Sequence, residues 1–168
     1  MKVTLTNYTS DALNTLLRTK NTRMKFEKPV EEWTDEERKD HLSYMLKTIK
    51  SSWEFVDYIF EIEGVTRAFT HQLVRTRTAS FAQQSQRADN VADQEVMRPP
   101  NIYLKNNSIW DDSIKAAIEG YERLIFLGES VQDARGLLPT NMTTSIIMKV
   151  SLRTMHETAK VRLCTRTQ

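Results

Sequence analysis

Apolar and polar residues alternate along Lys2-Val-Thr-Leu-Thr6, a spacing that predicts a short strand. The period then lengthens. Thr34-Asp-Glu-Glu37 has the form of a capping box, in which the first hydroxyl and the fourth carboxylate satisfy each other's backbone amides, so a helix should follow. In that helix Leu42, Met45, Leu46 and Ile49 recur on one face and are expected to form its buried stripe. Between Phe55 and Glu63, Val56, Tyr58, Phe60 and Ile62 return to alternation, predicting a strand with one face in the core that Gly64 should end. Val65, Ala68, Phe69, Gln72 and Leu73 resume helical spacing.

Asp89 to Asn107 is polar and interrupted by Pro99-Pro100, which reads as a loop or lid. Ser108 opens a long helix striped by Ile114, Ala117, Ile118, Tyr121 and Ile125 and stopped near Gly128, and a shorter one runs from Ser130 to about Leu138, before Pro139. Thr143 to Val150 fits either a strand or the start of the last helix, because a short apolar run does not discriminate. The last helix should turn Leu152, Met155, Ala159 and Leu163 inward, with Arg162 close to that apolar side and needing a partner. The pattern as a whole is α+β, helix-rich, with few strands.

Composition narrows the function classes. At 168 residues and 27% charged, the chain is expected to be a single domain with a real core. It has no apolar run of the roughly 18 residues that a membrane span needs, and its start has the wrong polarity for a signal peptide, so a cytoplasmic, soluble protein is expected. The single Cys164 excludes an internal disulfide and a cysteine-cluster metal site, and it is best read as a small apolar filler. His41 and His156 lack metal-ligand spacing, so no metal is expected, and His71 reads as a core histidine. A net charge of +2 and scattered tryptophans (Trp33, Trp53, Trp110) argue against a nucleic-acid binder.

Charge is instead concentrated locally. Arg75 to Arg87 holds three arginines, two serines and three glutamines with no acid, a composition suited to a small phosphorylated ligand: guanidinium binds phosphate bidentately while hydroxyls and carboxamides read a ring. The helical spacing finishes where the run begins, so side chains rather than helix-end amides must hold an anion there.

Arg75, Thr76 and Arg77, then Ser85 and Arg87, stand in the register of a signature that resembles that of the flavin-dependent thymidylate synthases, Arg-His-Arg, seven residues, Ser, and usually Arg two positions later. The resemblance extends upstream through Phe60-Glu-Ile-Glu-Gly-Val-Thr-Arg-Ala-Phe-Thr-His-Gln-Leu-Val74. It resumes at Ala134 to Pro139, Ser151 to Arg153 and Val161 to Leu163. It implies a helix-rich α+β domain over residues 1–168 with a small, mostly antiparallel sheet, working as a homotetramer whose sites draw on several subunits. It also implies a reaction, the methylation of deoxyuridylate to thymidylate, with methylenetetrahydrofolate as one-carbon donor, hydride from reduced FAD and NADPH as reductant.

Carried over residue by residue, the resemblance places Arg75, Ser85, Arg87 and Arg135 on the nucleotide's phosphate and sugar, with Gln72, Gln83 and Gln84 beside them. It places Arg162 against the pyrimidine as the catalytic arginine. Arg75, Thr76, Arg77, Thr78, Gln83, Ser151, Arg153 and Glu157 fall at flavin positions. The departures cluster on the flavin side: Thr76 stands for a histidine, Ser151 and Glu157 for asparagines, Phe55 for another histidine, and Gln83 for a glutamate in some members. Two plainer readings stay open: Arg135 caps a helix C-terminus, and Arg153 with Glu157 is an exposed ion pair. So do two rival functions, a related one-carbon transferase with another pyrimidine or a hydroxymethylated product, and a non-catalytic nucleotide binder without flavin. The early end at Gln168 fits a compact, virus-encoded form or a piece of a longer chain.

Overall fold

The computed structural model describes residues 1–24, 28–48, 50–87, 90–102 and 107–163. Ile49, Asp89 and Cys164, each assigned a place from sequence, lie outside them, as does part of the expected proline loop. The elements run β1 (Lys2–Tyr8), α1 (Ala12–Arg23), α2 (Asp35–Lys47), β2 (Asp57–Thr66), α3 (Arg67–Leu73), β3 (Ser80–Gln83), α4 (Asn107–Phe126), α5 (Val131–Ala134), β4 (Thr143–Ser151) and α6 (Leu152–Arg162), with 3-10 turns at Val30–Glu32, Lys50–Phe55, Pro100–Ile102 and Arg135–Leu137. The strands form one small antiparallel sheet in the order β1-β2-β4-β3, so the expected helix-rich α+β class holds. The chain divides into two compact units, one of Met1–Val3, Ile62–Arg75 and Ala82–Ile147, the other of Thr4–Glu61, Thr76–Phe81 and Met148–Gln168.

In the first unit the long helix α4 lays its stripe inward as its period dictates, with Tyr121 fully buried and Ile114, Ala117, Ile118 and Ile125 half-buried. Gly120 lets it approach the turn after α5: a Cβ there would stand 3.1 Å from Leu137 Cδ1. Ile62, Val65, Val91, Ala134, Met142 and Ile146 complete the unit's buried apolar set. The helix α3 departs from its expected stripe. Ala68, Phe69 and Gln72 are exposed, as is His71, and the inward residues are Arg67, Thr70 and Leu73. Apolar spacing misplaced this face because polar groups, not methyls, occupy it.

In the second unit Leu16, Met45, Trp53 and Val56 form one core cluster, with Leu42 and Leu152 against it, and Leu17, Val30 and Trp33 form another. Arg38 ties α2 to its neighbours by donating to Asn14 Oδ1 at 2.6 Å and to the carbonyls of Val30 and Trp33. The capping box at Thr34 and Glu37 is present in full. Leu46, by contrast, is exposed: α1 and the Lys50–Phe55 turn cover only the Leu42 and Met45 side of α2. The ambiguous segment after residue 142 is strand β4, with Thr144, Ile146, Met148 and Val150 buried and Ile147 and Lys149 exposed, the alternation of a half-covered sheet.

Gly64 does not end β2, which continues to Thr66. It adopts φ 64°, a left-handed conformation that glycine reaches without a Cβ clash, so the strand kinks rather than stops. Replacing Gly64 with alanine should therefore destabilise the fold by about 1–2 kcal/mol, from backbone strain. The same change at Gly136, where φ is not left-handed and the space is open, should be close to neutral. Urea midpoints of the two variants test this, and equal midpoints would refute it.

Candidate functional site

The cationic cluster of the first unit is organised by a residue outside the arginine-rich run. Thr66 caps α3 by accepting from Phe69 N–H at 3.1 Å, and the backbone amides of Arg67 and Ala68 bond the carbonyls of Met142 and Thr140, fixing where the helix starts. Arg67 then reaches to the Gln84 carbonyl through Nη2 at 2.7 Å, while its Nε is buried with no protein partner. Burial, and after it the charge of Arg135, lowers the Arg67 pKa, so two like charges share this region. Among the described residues, no carboxylate pairs with Arg67, Arg75, Arg87 or Arg135.

The glutamine-rich segment is held on both sides. Gln84 N–H donates to the Ser145 carbonyl of β4 at 3.1 Å, its own carbonyl takes the Arg67 bond, and Gln83 Nε2 donates to Thr70 Oγ1 at 2.9 Å. Ser85 Oγ accepts from Arg87 N–H at 3.0 Å, a local turn that sets the signature serine and arginine together. The Gln83 carboxamide is thus committed inward, whereas Gln72, Arg75, Gln84, Ser85 and Arg87 are exposed. Arg135 is half-buried and its Nε donates to the Gln132 carbonyl at 3.1 Å, so it does close the end of α5 while standing close enough to Arg67 to repel it. Its remaining donors are compatible with a second role.

Arg67 was missed because it lies eight positions upstream of Arg75, on a face that apolar periodicity does not mark. One signal was present: a cation in the first turn of a helix faces the positive end of the macrodipole and wants a compensating anion.

The second unit holds Thr76, Arg77, Thr78, Ser151, Arg153, Glu157 and Arg162. Ser151 is buried and caps α6: its Oγ accepts from Thr154 N–H at 3.2 Å and donates to Glu54 Oε2 at 2.7 Å. Thr154 Oγ1 donates to Thr78 Oγ1 at 2.9 Å. Arg153 lies between Glu157 at 3.0 Å and Glu54 at 3.5 Å, and the Glu157 bond raises its pKa. The expected Arg153–Glu157 pair is therefore present, extended by Glu54. Thr76 and Arg77 lie in the turn before β3, Thr76 half-buried and Arg77 exposed.

Arg162 is exposed rather than close to an apolar side, because the packing of α6 ends near Ala159 and Val161 and Leu163 also face solvent. It has none of the buried surroundings that would demand a partner. Phe55, the other departure, lines a cavity of about 350 Å³ with Thr19, Thr22, Arg23, Ser51 and Ser52. Among the described residues no His, Cys, Asp or Glu cluster could hold a metal, and no helix is long and apolar enough to cross a membrane.

Comparison with known proteins bears on the family and the fold. The family model described as thymidylate synthase complementing protein matches residues 4–168. The flavin-dependent thymidylate synthase of Sulfurisphaera tokodaii is 35% identical over 113 residues, covering 66% of this chain and 44% of that protein. The Pyrococcus abyssi protein of the same name is 32% identical across 100% of this chain and 73% of its own length. The chain thus spans less than half of the first of these relatives. In fold it resembles thymidylate synthase X from Helicobacter pylori, solved with FAD and dUMP, with a TM-score of 0.74 and 19% identity over 100% of this chain and 86% of that one. With almost its whole length matched and its signature residues in register, the chain belongs to the flavin-dependent thymidylate synthase family.

Proposed function

We propose that the chain methylates deoxyuridylate to thymidylate, using methylenetetrahydrofolate as one-carbon donor, with FAD as the bound cofactor and NADPH as the reductant that recharges it. The observation that supports this most directly is the pair of uncompensated guanidiniums, Arg67 and Arg135, the first braced on the backbone of the signature segment and carrying an orphaned buried Nε–H. A buried donor without a partner costs free energy that an incoming phosphate oxygen would recover. Ser85 and Arg87, joined by their own turn, supply further donors to the nucleotide, with Gln72, Arg75 and Gln84 on the same unit and Gln83 supporting them from within.

Bound flavin supplies the hydride for the one-carbon unit. On the chain's side, Arg77, free of carboxylates among the described residues, is the best-placed cation for the cofactor's diphosphate, with the Thr78 hydroxyl next to it in sequence. Arg153 contributes less, since Glu54 and Glu157 already neutralise it. Arg162 carries the catalytic role: a guanidinium that stays protonated against the pyrimidine stabilises the anion that develops as C5 becomes nucleophilic, which needs no cysteine. Arginines left without acids also suit sites shared between chains, so the reading includes a homotetramer.

Incubating the protein with FAD, NADPH, methylenetetrahydrofolate and deoxyuridylate should yield thymidylate by mass spectrometry. A colourless protein that takes up no flavin and forms no thymidylate would sink the reading. Arg67→Ala should weaken deoxyuridylate binding by roughly 10- to 150-fold in calorimetry, and an unchanged affinity would remove Arg67 from the site. Glu157→Asn should release Arg153 and tighten FAD binding by about 2- to 5-fold. Weaker binding in that variant would instead make Glu157 a cofactor ligand.

A further inference from the structure

We propose that a small organic monocarboxylate binds in a cavity between α1 and α2, with the Lys20 ammonium as its charge partner. The cavity has a volume of about 210 Å³. At ~30 Å³ per water-sized group, that is room for about seven of them, too many for a lone ion and suited to a compact acid such as benzoate.

Charge is what calls for an anion here. Lys20 lies in the last turn of α1 and is only 6% exposed. Its Nζ meets His41 Nδ1 of α2 and stands 5.2 Å from the Tyr44 ring centroid, and no carboxylate of the described residues pairs with it. Imidazole can accept one of its N–H bonds and the ring face offers a weak attraction, but neither carries a negative charge. Burial, followed by the nearby charge of Arg23, lowers the Lys20 pKa, the expected sign for an ammonium held without a counter-ion. The one acid on the cavity, Glu37, is already used: Lys28 Nζ lies 2.8 Å from Oε1, and Thr34 N–H donates to Oε2 at 2.7 Å.

The rest of the lining selects the ligand's body. Trp33 is mostly buried and packs its ring on His41, centroid to centroid 4.1 Å, giving one flat apolar wall, and Met24 gives another. The buried Asn21 spends its Nδ2 on the Lys28 carbonyl, which fixes the floor. Glu37, though paired, lines the cavity with a carboxylate and opposes a doubly charged anion. A single carboxylate on a flat apolar group satisfies every wall at once, whereas inorganic phosphate satisfies only Lys20.

Titrating benzoate into the intact chain without flavin or nucleotide, followed by calorimetry and ligand-observed NMR, should show saturable binding, weaker for acetate and weakest for inorganic phosphate. Lys20→Met should weaken benzoate binding by about 10-fold or more without lowering the melting temperature, since it removes an uncompensated buried charge. Should that variant fail to fold, Glu37→Gln carries the test: glutamine keeps the capping box, and removing the acid should tighten benzoate. The proposal is overturned by non-saturable binding, by phosphate binding more tightly than benzoate, by unchanged affinity in Lys20→Met, or by weaker binding in Glu37→Gln. None of these outcomes depends on whether the chain makes thymidylate.

Discussion

The bond from the Arg67 guanidinium to the Gln84 carbonyl is the constraint on which the first unit's chemistry depends. It fixes the backbone just before Ser85 and Arg87, it comes from a helix whose start is pinned by the carbonyls of Thr140 and Met142, and it leaves a buried N–H with nothing to bond. One side chain thereby links the start of α3 to the backbone of the signature segment. The inward face of α3 is polar for the same reason: Arg67 and the Thr70 hydroxyl occupy the places an ordinary amphipathic helix would give to leucine or valine.

The second unit solves the opposite problem. Its polar groups are nearly self-contained, with Ser151 capping α6 while bonding Glu54, Thr154 joined to Thr78, and Arg153 shared between two acids. Such a network orients side chains at little cost in net charge, and it weakens the attraction Arg153 offers to an anion. In the first unit Arg67 and Arg135 have no carboxylate partner among the described residues, whereas in the second Arg153 is held by two acids.

Much of this was legible in the sequence. Alternation located β1 and β2, the capping box located α2, and the three- and four-residue spacing of α4 marked the stripe that includes the buried Tyr121. The spacing of Arg153 and Glu157 foretold their pairing. What was not legible has a common physical origin. Arg67, Glu54 and Thr154 act through long-range hydrogen bonds, which leave no periodic trace. Leu46, His71 and Arg162 were misjudged because periodicity says which residues share a face but not whether a neighbouring element reaches far enough to cover it. Gly64 was read as a stop because left-handed backbone inside a strand and at a turn look alike in sequence.

The two like-charged guanidiniums also tie the folded state to its surroundings. A native state that stores repulsion between Arg67 and Arg135 gains more from a captured anion than a neutral surface would, and mass action raises stability by about 2.7 kcal/mol when such a ligand is present at about 100 times its dissociation constant. The abundance of intact protein would then follow the supply of any anion that those guanidiniums capture.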